Sequence, residues 1–420
     1  MPPEQAQQGY GPIGGSSRRE FLKGAAALAV AGRALGRGLP NQSNSGRRSM
    51  FAYVGTYSSP EGPEGSRGNG QGIYLFEVDP SSGSLSQRAV FRDDSNPSWI
   101  AFDPSKTHVY AGNETQTFQG APSGSVSAFS IDRASGHLER LNTVSSEGAG
   151  PAYLSVHPSG KFVLVANYGG GTIAVLSIQS NGELGPATYV HHDHGPIGPI
   201  HAISAPPGSF AISGHDGPHP HMIHADPSGR FVVSTDLGMD QIFVWKFDAQ
   251  NGKLSEASAV SVPPGDGPRH FVFHPNGRWM YSAQEEGSTV MFWEYDGAAG
   301  RLTAKQTHSS LPEGFAGTNF PSEIRMSPDG KFLYAANRLR NSIVCFSITN
   351  SGALSYASDW WTRGDYPRSF TIDPTGSFLY VCNQRSDSIT AFRIERENGN
   401  LTFTGRYTPV GTPAVMVFLT

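Results

Sequence analysis

Arg269 and Glu285 stand 16 residues apart in GPRHFVFHPNGRWMYSAQEEG (267–287), one before and one after the turn HPNG. A hairpin that sets a guanidinium beside a carboxylate can bind an anionic group, hold a carbonyl oxygen or move a proton. Equivalent positions of other hairpins carry His221, Arg338, Arg368, Glu114 and Tyr168. Three arginines suit a carboxylate or phosphate, because guanidinium groups bind such oxygens two at a time and stay charged at any working pH. His221 and Glu285 add groups that exchange protons with water or a ring oxygen. The pattern holds no activated nucleophile: Gly-x-Ser-x-Gly does not occur, and neither Cys345 nor Cys382 falls at these positions. The chemistry implied is general acid/base hydrolysis or lactonisation, with arginine stabilising an oxyanion.

A repeat sets these positions. A proline followed by an apolar strand recurs seven times, at Pro97, Pro151, Pro220, Pro268, Pro321, Pro367 and Pro413. A second motif, Gly-x-Leu, recurs independently at Gly83, Gly136, Gly182, Gly252, Gly300, Gly352 and Gly399. Both series step by roughly 50 residues, the length of a four-stranded propeller blade. Sixteen residues after each of the first six prolines comes Asn113, Asn167, Asp236, Gln284, Asn337 or Asn383, with turns such as HPSG, DPSG and SPDG in between. Each unit therefore reads as an inner hairpin followed by a second hairpin closed at Gly-x-Leu. Residues 51–90 supply three strands that lack a first, and the C-terminal TPAVMVFLT supplies a first strand with nothing after it. The expected fold is all-β: a seven-bladed β-propeller of four-stranded blades over residues 51–420, its ring closed by strands from both termini.

In that ring the first strand of each blade lines a central channel. The residue after each proline and the residue after each amide then meet at one rim. The first set is Ser98, Ala152, His221, Arg269, Ser322, Arg368 and Ala414; the second is Tyr57, Glu114, Tyr168, Leu237, Glu285, Arg338 and Gln384. Strand ends are often solvated and polar, which would explain some charge here. Six of these fourteen positions are Arg, Glu or His in a chain with 16% charged residues, and four of the six come from three successive units, which favours a site. His270 and Glu286, one position further along, are expected to point elsewhere and to act as supporting residues.

Composition agrees with an all-β chain that binds something small. The 420 residues include 51 Gly and 31 Pro, and no long helical pattern follows about residue 35. A net charge of −4 with few charged residues predicts no nucleic-acid partner. SSRREFLKGAAALAVAG, with Arg18 and Arg19 ahead of a short apolar run, resembles a twin-arginine export signal. Residues 1–40 are thus expected to be this signal and a disordered linker. The export machinery would engage Arg18 and Arg19, and the mature form would be periplasmic or extracellular without a membrane anchor. A disordered basic tail is the alternative. Cys345 and Cys382 sit in apolar strand patterns and read as buried free thiols, with a single disulfide as the alternative.

Eight histidines crowd residues 191–224. They read either as a metal site built on His191, His192, Asp193 and His194 with His215 or His219, or as a Pro/Gly-rich insertion that arches over the channel mouth. The insertion is the favoured reading, and no metal or cofactor is expected. The glycine-rich stretch at 58–72 reads as a flexible rim loop rather than a phosphate loop, since it opens no helix and has no Gly-Lys-Ser/Thr.

Several stretches resemble one family. GPRHFVFHPNGRWMYSAQEE, PHPHMIHADPSGRFVVSTDLGMDQI, EIRMSPDGKFLYAANR, PAYLSVHPSGKFVLVANYGGGTI and FAYVGTY…GIYLFEVDPSSGSL are similar to the seven-bladed propeller lactonases, the 6-phosphogluconolactonase and carboxy-muconate lactonising enzyme type. The resemblance runs in order over residues 51–420. It implies hydrolysis of a sugar or organic-acid lactone, with an anionic substrate, and a catalytic set of His221, Arg269, Glu285 and Arg338. Glu114, Tyr168, His270 and Arg368 are the expected substrate-binding residues. Where the family usually has Asn-Glu-Leu, this chain has Gln284-Glu285-Glu286. The rival from another class is an exported propeller that binds a ligand or protein without catalysis.

Overall fold

Each repeat proline pairs with the residue 16 positions later: Pro97 with Asn113, Pro151 with Asn167, Pro220 with Asp236, Pro268 with Gln284, Pro321 with Asn337 and Pro367 with Asn383. Proline has no N–H to give a ladder, and just beyond it the register slips by one residue in each of these hairpins. The closing blade does the same between Thr56 and Gly55, opposite Pro413. This bulge frees the next side chain from the alternation of the strand. His221, Arg269 and Arg368 occupy such positions, and all three border cavities of the central channel.

The computed structural model describes residues 50–60 and 67–420; the expected export signal lies outside the described residues. Seven four-stranded antiparallel sheets form the blades. Blade 3 comprises Pro220–Ala225, Phe231–Asp236, Gln241–Asp248 and Lys253–Ser261. Blade 4 comprises Pro268–Phe273, Trp279–Gln284, Thr289–Asp296 and Arg301–Ser309, and blade 5 runs from Phe320–Met326 to Leu354–Trp361. Blades 1, 2 and 6 open at Pro97–Phe102, Pro151–Val156 and Pro367–Ile372. The seventh is composite: Pro413–Leu419 pairs with Met50–Thr56, which is followed by Gly72–Val78 and Leu85–Arg92. The ring is closed by strands from both ends of the chain, as the complementary partial repeats predict.

Middle strands such as Phe162–Asn167 are buried along their whole length, because blades cover both of their faces, whereas outer strands such as Arg301–Ser309 are mostly exposed. The Gly-x-Leu motif has a structural cause. All seven of its glycines have φ between +63° and +88°, a region costly for residues with a Cβ. At five blade junctions the glycine carbonyl accepts the hydroxyl of a buried tyrosine from the preceding blade. These pairs are Tyr53 with Gly136, Tyr110 with Gly182, Tyr281 with Gly352, Tyr334 with Gly399 and Tyr380 with Gly83. Cys345 and Cys382 are both free and buried, and burial pushes both thiols up to about 12. No helix among the described residues is long and apolar enough to cross a membrane.

The segment between blades 2 and 3 departs from the repeat. Ser209–Phe210 pairs in parallel with Gly317–Thr318, which precedes blade 5, and forms a small separate sheet. The segment is tied down again where Gly198 N–H donates to Gly238 O at 2.8 Å and Ile203 N–H donates to Pro264 O at 3.1 Å. It thus crosses the tops of blades 3 and 4. Its Ile212, Ser213 and Gly214 form part of the wall of a cavity near the ring axis.

Candidate active site

Glu285 and Glu286 follow the strand Trp279–Gln284 into a tight turn. Glu285 N–H donates to Gly267 O at 2.7 Å, and Glu286 N–H donates to Asp266 O at 3.0 Å. The turn and the bulge after Pro268 bring Arg269 beside Glu285, and Arg338, at the end of the blade 5 strand Phe332–Arg338, reaches the same carboxylate. Glu285 Oε2 lies 2.7 Å from Arg269 Nε and 2.6 Å from Arg338 Nη2. Burial would raise the Glu285 carboxyl, but the Arg338 and Arg269 guanidiniums outweigh it and hold the group below its ordinary range. Arg338 is fixed in turn by Phe320 O at 3.3 Å and the Tyr366 hydroxyl at 3.3 Å, with its guanidinium over both rings.

Glu285 and Arg338 face a cavity of about 780 Å³ at the mouth of the channel. Its lining includes His221, Glu285, Arg338, Arg368, Glu114 and Tyr168. His221 stands edge-on to Tyr168 and to His270, and its Nδ1 has no hydrogen-bond partner in the protein. Burial, with Arg269, His270 and Arg368 nearby, keeps its imidazole well below the usual range and therefore neutral. On the far wall, Glu114 accepts hydroxyls from Ser98 at 2.6 Å and Tyr57 at 2.8 Å, and Arg368 lies 3.6 Å from it. Arg385 stacks over Tyr366 at 3.7 Å and also borders the cavity.

Arg269 sits lower than the rim reading places it, and His270, a substrate-binding residue by the resemblance, does not reach the main cavity. Arg269 is fully buried beneath Glu285 and donates to Ser322 O at 2.5 Å, so it borders only a void of about 10 Å³ below the main cavity. His270 borders the same void and is not on the main cavity's wall. It is wedged against Trp99 and Tyr153 and faces Glu323 at 3.3 Å. The bulge is the reason: in blade 4 regular pairing resumes only at Phe271, so Arg269 and His270 both leave the ladder and both turn inward.

The insertion adds a group that spacing alone does not reveal. Ser213 Oγ donates to Glu286 Oε1 and lies 3.3 Å from Glu285 Oε1. Gly214 makes this approach possible, since a Cβ there would sit 2.3 Å from the Tyr168 hydroxyl oxygen. Glu286 is fully buried, and burial together with Glu285 raises its carboxyl well above the ordinary range, so it is held protonated. Tyr366 and Arg385 also escape the rim sets, because the loop Tyr366 occupies and the turn Arg385 occupies lie outside the two template positions.

The histidines of residues 191–224 disperse. His191 packs against Trp245, His219 stacks on Tyr168 and bonds Asp216, and His215 faces Asp240. Among the described residues no group of three or more His, Cys, Asp or Glu is arranged to hold a metal ion.

The profile of the family described as "Lactonase, 7-bladed beta-propeller" matches residues 51–418. A 6-phosphogluconolactonase of Bacillus subtilis strain 168 is 32% identical over 371 residues, covering 88% of this chain and 98% of the relative. A 6-phosphogluconolactonase of Formosa agariphila is 34% identical over 71% of this chain and 81% of its own length. Among solved structures, a putative 6-phosphogluconolactonase from Bacteroides fragilis superposes with a TM-score of 0.78 at 31% identity, covering 89% of this chain and 99% of that one. A periplasmic gluconolactonase of Pseudomonas aeruginosa gives a TM-score of 0.77 at 29% identity, again over 89% and 99%.

Proposed function

The chain belongs to the family of seven-bladed β-propeller lactonases, and on that footing we propose that its channel cavity opens an anionic sugar or organic-acid lactone by adding water. The observation that carries this reading is the neutral His221 in a cavity walled by Arg338, Arg368 and Arg385, with an ionised Glu285 locked between two guanidiniums. Four arginines stand at or just behind the wall against the carboxyl groups of Glu114 and Glu285, an excess of positive charge that suits a carboxylate or phosphate.

The roles follow from the chemistry of each group. Arg338 and Arg368 hold the anionic group and the carbonyl oxygen, where negative charge grows as water adds. Glu285 serves to orient Arg338, because its Oε2 already carries two guanidinium contacts and its depressed carboxyl is a poor proton donor. Arg269 braces Glu285 from below and is a positioning residue. His221 takes the proton from the attacking water. Tyr168 and Glu114 shape the remaining wall.

The substrate is proposed to be 6-phosphogluconolactone or an unphosphorylated aldonolactone. Hydrolysis of both by the purified protein, compared with Arg269→Ala and Glu285→Ala, tests the site. Unchanged rates in both variants exclude it. Export through the twin-arginine route belongs to the same proposal; it is supported by SRREFLK around Arg18 and Arg19 and by the similarity to a periplasmic gluconolactonase. Replacing both arginines by lysine and locating the protein by fractionation tests it: retention in the cytoplasm supports export, and an unaltered location refutes it.

A further inference from the structure

Hydrolysis of a lactone needs a proton for the ring oxygen that leaves; His221 gains one only from the attacking water, and Glu285 has none to give. Glu285 is ionised and His221 is neutral. The missing proton is beside them. Ser213, delivered by the insertion, borders the cavity, and its hydroxyl is bonded to the Glu286 carboxyl behind it. Glu286 is itself backed by a buried column. His215 Nδ1 lies 3.7 Å from Glu286 Oε1, and His215 Nε2 lies 3.2 Å from Asp240 Oδ1. Asp240 is fixed by the N–H groups of Gly265 at 2.6 Å and Gly267 at 2.9 Å. Glu286 Oε2 faces no hydrogen-bond partner and is pressed against Gly267, where a Cβ would lie 1.9 Å away. An unpartnered carboxyl oxygen in full burial is costly when ionised and tolerable when protonated.

We propose that Ser213 and Glu286 form a two-step proton relay to the leaving ring oxygen, with His215 and Asp240 as positioning residues. The inference rests on the lactonase reading above and adds the acid to it. Water's oxygen bonds to the carbonyl carbon while its proton passes to the His221 imidazole. The Glu286 proton stands on Oε1, and the Ser213–Glu286 hydrogen bond reverses so that the carboxyl donates to Ser213 Oγ. The carbonyl-carbon-to-ring-oxygen bond then breaks, the ring oxygen takes the Ser213 hydroxyl proton and Ser213 takes the one from Glu286. Glu286 is left as a carboxylate and His221 as imidazolium, and proton exchange through solvent restores both. The charged and titratable groups facing Glu286 are Glu285, Arg338 and His215, so a negative Glu286 meets repulsion from Glu285 and is readily reprotonated.

Leaving-group chemistry separates a relay from a structural role. An alkyl δ-lactone expels a basic alkoxide and needs a proton, whereas an aryl lactone expels a phenolate and needs far less help. Ser213→Ala and Glu286→Gln are each expected to lower kcat on the alkyl lactone by about 100-fold with KM within about threefold, and on the aryl lactone by only about fivefold. Circular dichroism and melting confirm that each variant is folded, and the two variants report independently. Equal losses on both lactones, or no loss on the alkyl lactone while the wild type hydrolyses it, overturn the relay and leave the lactonase reading intact. A wild type that opens neither an alkyl nor an aryl lactone overturns both.

Discussion

Glu114 and Glu285 hold the same place in blades 1 and 4, one residue past the amide of the inner hairpin. Their partners differ. Glu114 accepts two hydroxyls, from Ser98 in its own hairpin and from Tyr57 in the closing blade, and a guanidinium stands 3.6 Å off. Glu285 meets two guanidiniums at 2.7 and 2.6 Å, one from its own bulge and one from blade 5. The next residue also differs: Thr115 follows Glu114, whereas the buried acid Glu286 follows Glu285 beneath the insertion. One template thus sets an acid at the rim in both blades. The neighbours across the blade junction decide whether it is a hydroxyl-bonded wall or the anchor of a charged cluster.

The largest expected effect comes from neutralising the anchored acid. Glu285→Gln leaves Arg269 and Arg338 buried without their counter-charge, and kcat/KM is expected to fall by about 10³-fold with a lower melting temperature. Glu114→Gln keeps an acceptor for both hydroxyls and should lower kcat/KM by less than about tenfold. Steady-state kinetics on one lactone measures both, and equal losses would erase the distinction between the two acids.

A pH series sharpens the contrast within the Glu285–Glu286 pair. The depressed Glu285 contributes stability at pH values above its unfolded pKa, and loses it as pH falls through the folded value. The raised Glu286 behaves oppositely: its contribution is complete below the unfolded pKa and declines as pH rises toward the folded value. Glu286→Gln removes that decline. The variant should melt higher than the wild type by roughly 2 °C or more at pH 8, with the gain gone near pH 4. A melting difference independent of pH would mean that Glu286 is ionised in the fold.

The smallest effect belongs to the scaffold. Tyr281→Phe deletes the hydroxyl that meets Gly352 O and should cost about 1 kcal/mol in denaturant unfolding without altering kcat/KM. A loss of activity there would show that blade junctions and site are coupled.

Much of this was legible from spacing. Prolines and amides 16 apart predicted the observed pairing, and the two partial repeats predicted the composite blade. The same rule put Arg269, Glu285 and Arg338 on one rim; both arginines meet the Glu285 carboxylate, with Arg269 below the main cavity. His270, expected to point away from the rim, is off the main cavity's wall. That it shares the lower void with Arg269 was not legible, because a bulge has no signature in a period of two. Ser213 was invisible to the template, since it lies in the insertion between blades 2 and 3, which has no counterpart in it. Its position depends on Gly198, Ile203 and Phe210 being tied to blades 3, 4 and 5.

Local pattern by itself determined the strands, the turns and their sevenfold recurrence, because alternation, Pro-Gly turns and positive-φ glycines act over a few residues. Tertiary structure alone decided depth, protonation and partnership. Whether a rim arginine touches the cavity or braces from below, and whether a glutamate keeps its proton, depends on burial and on charges from other blades. Those fields arise only when distant parts of the chain meet in a medium of low dielectric constant.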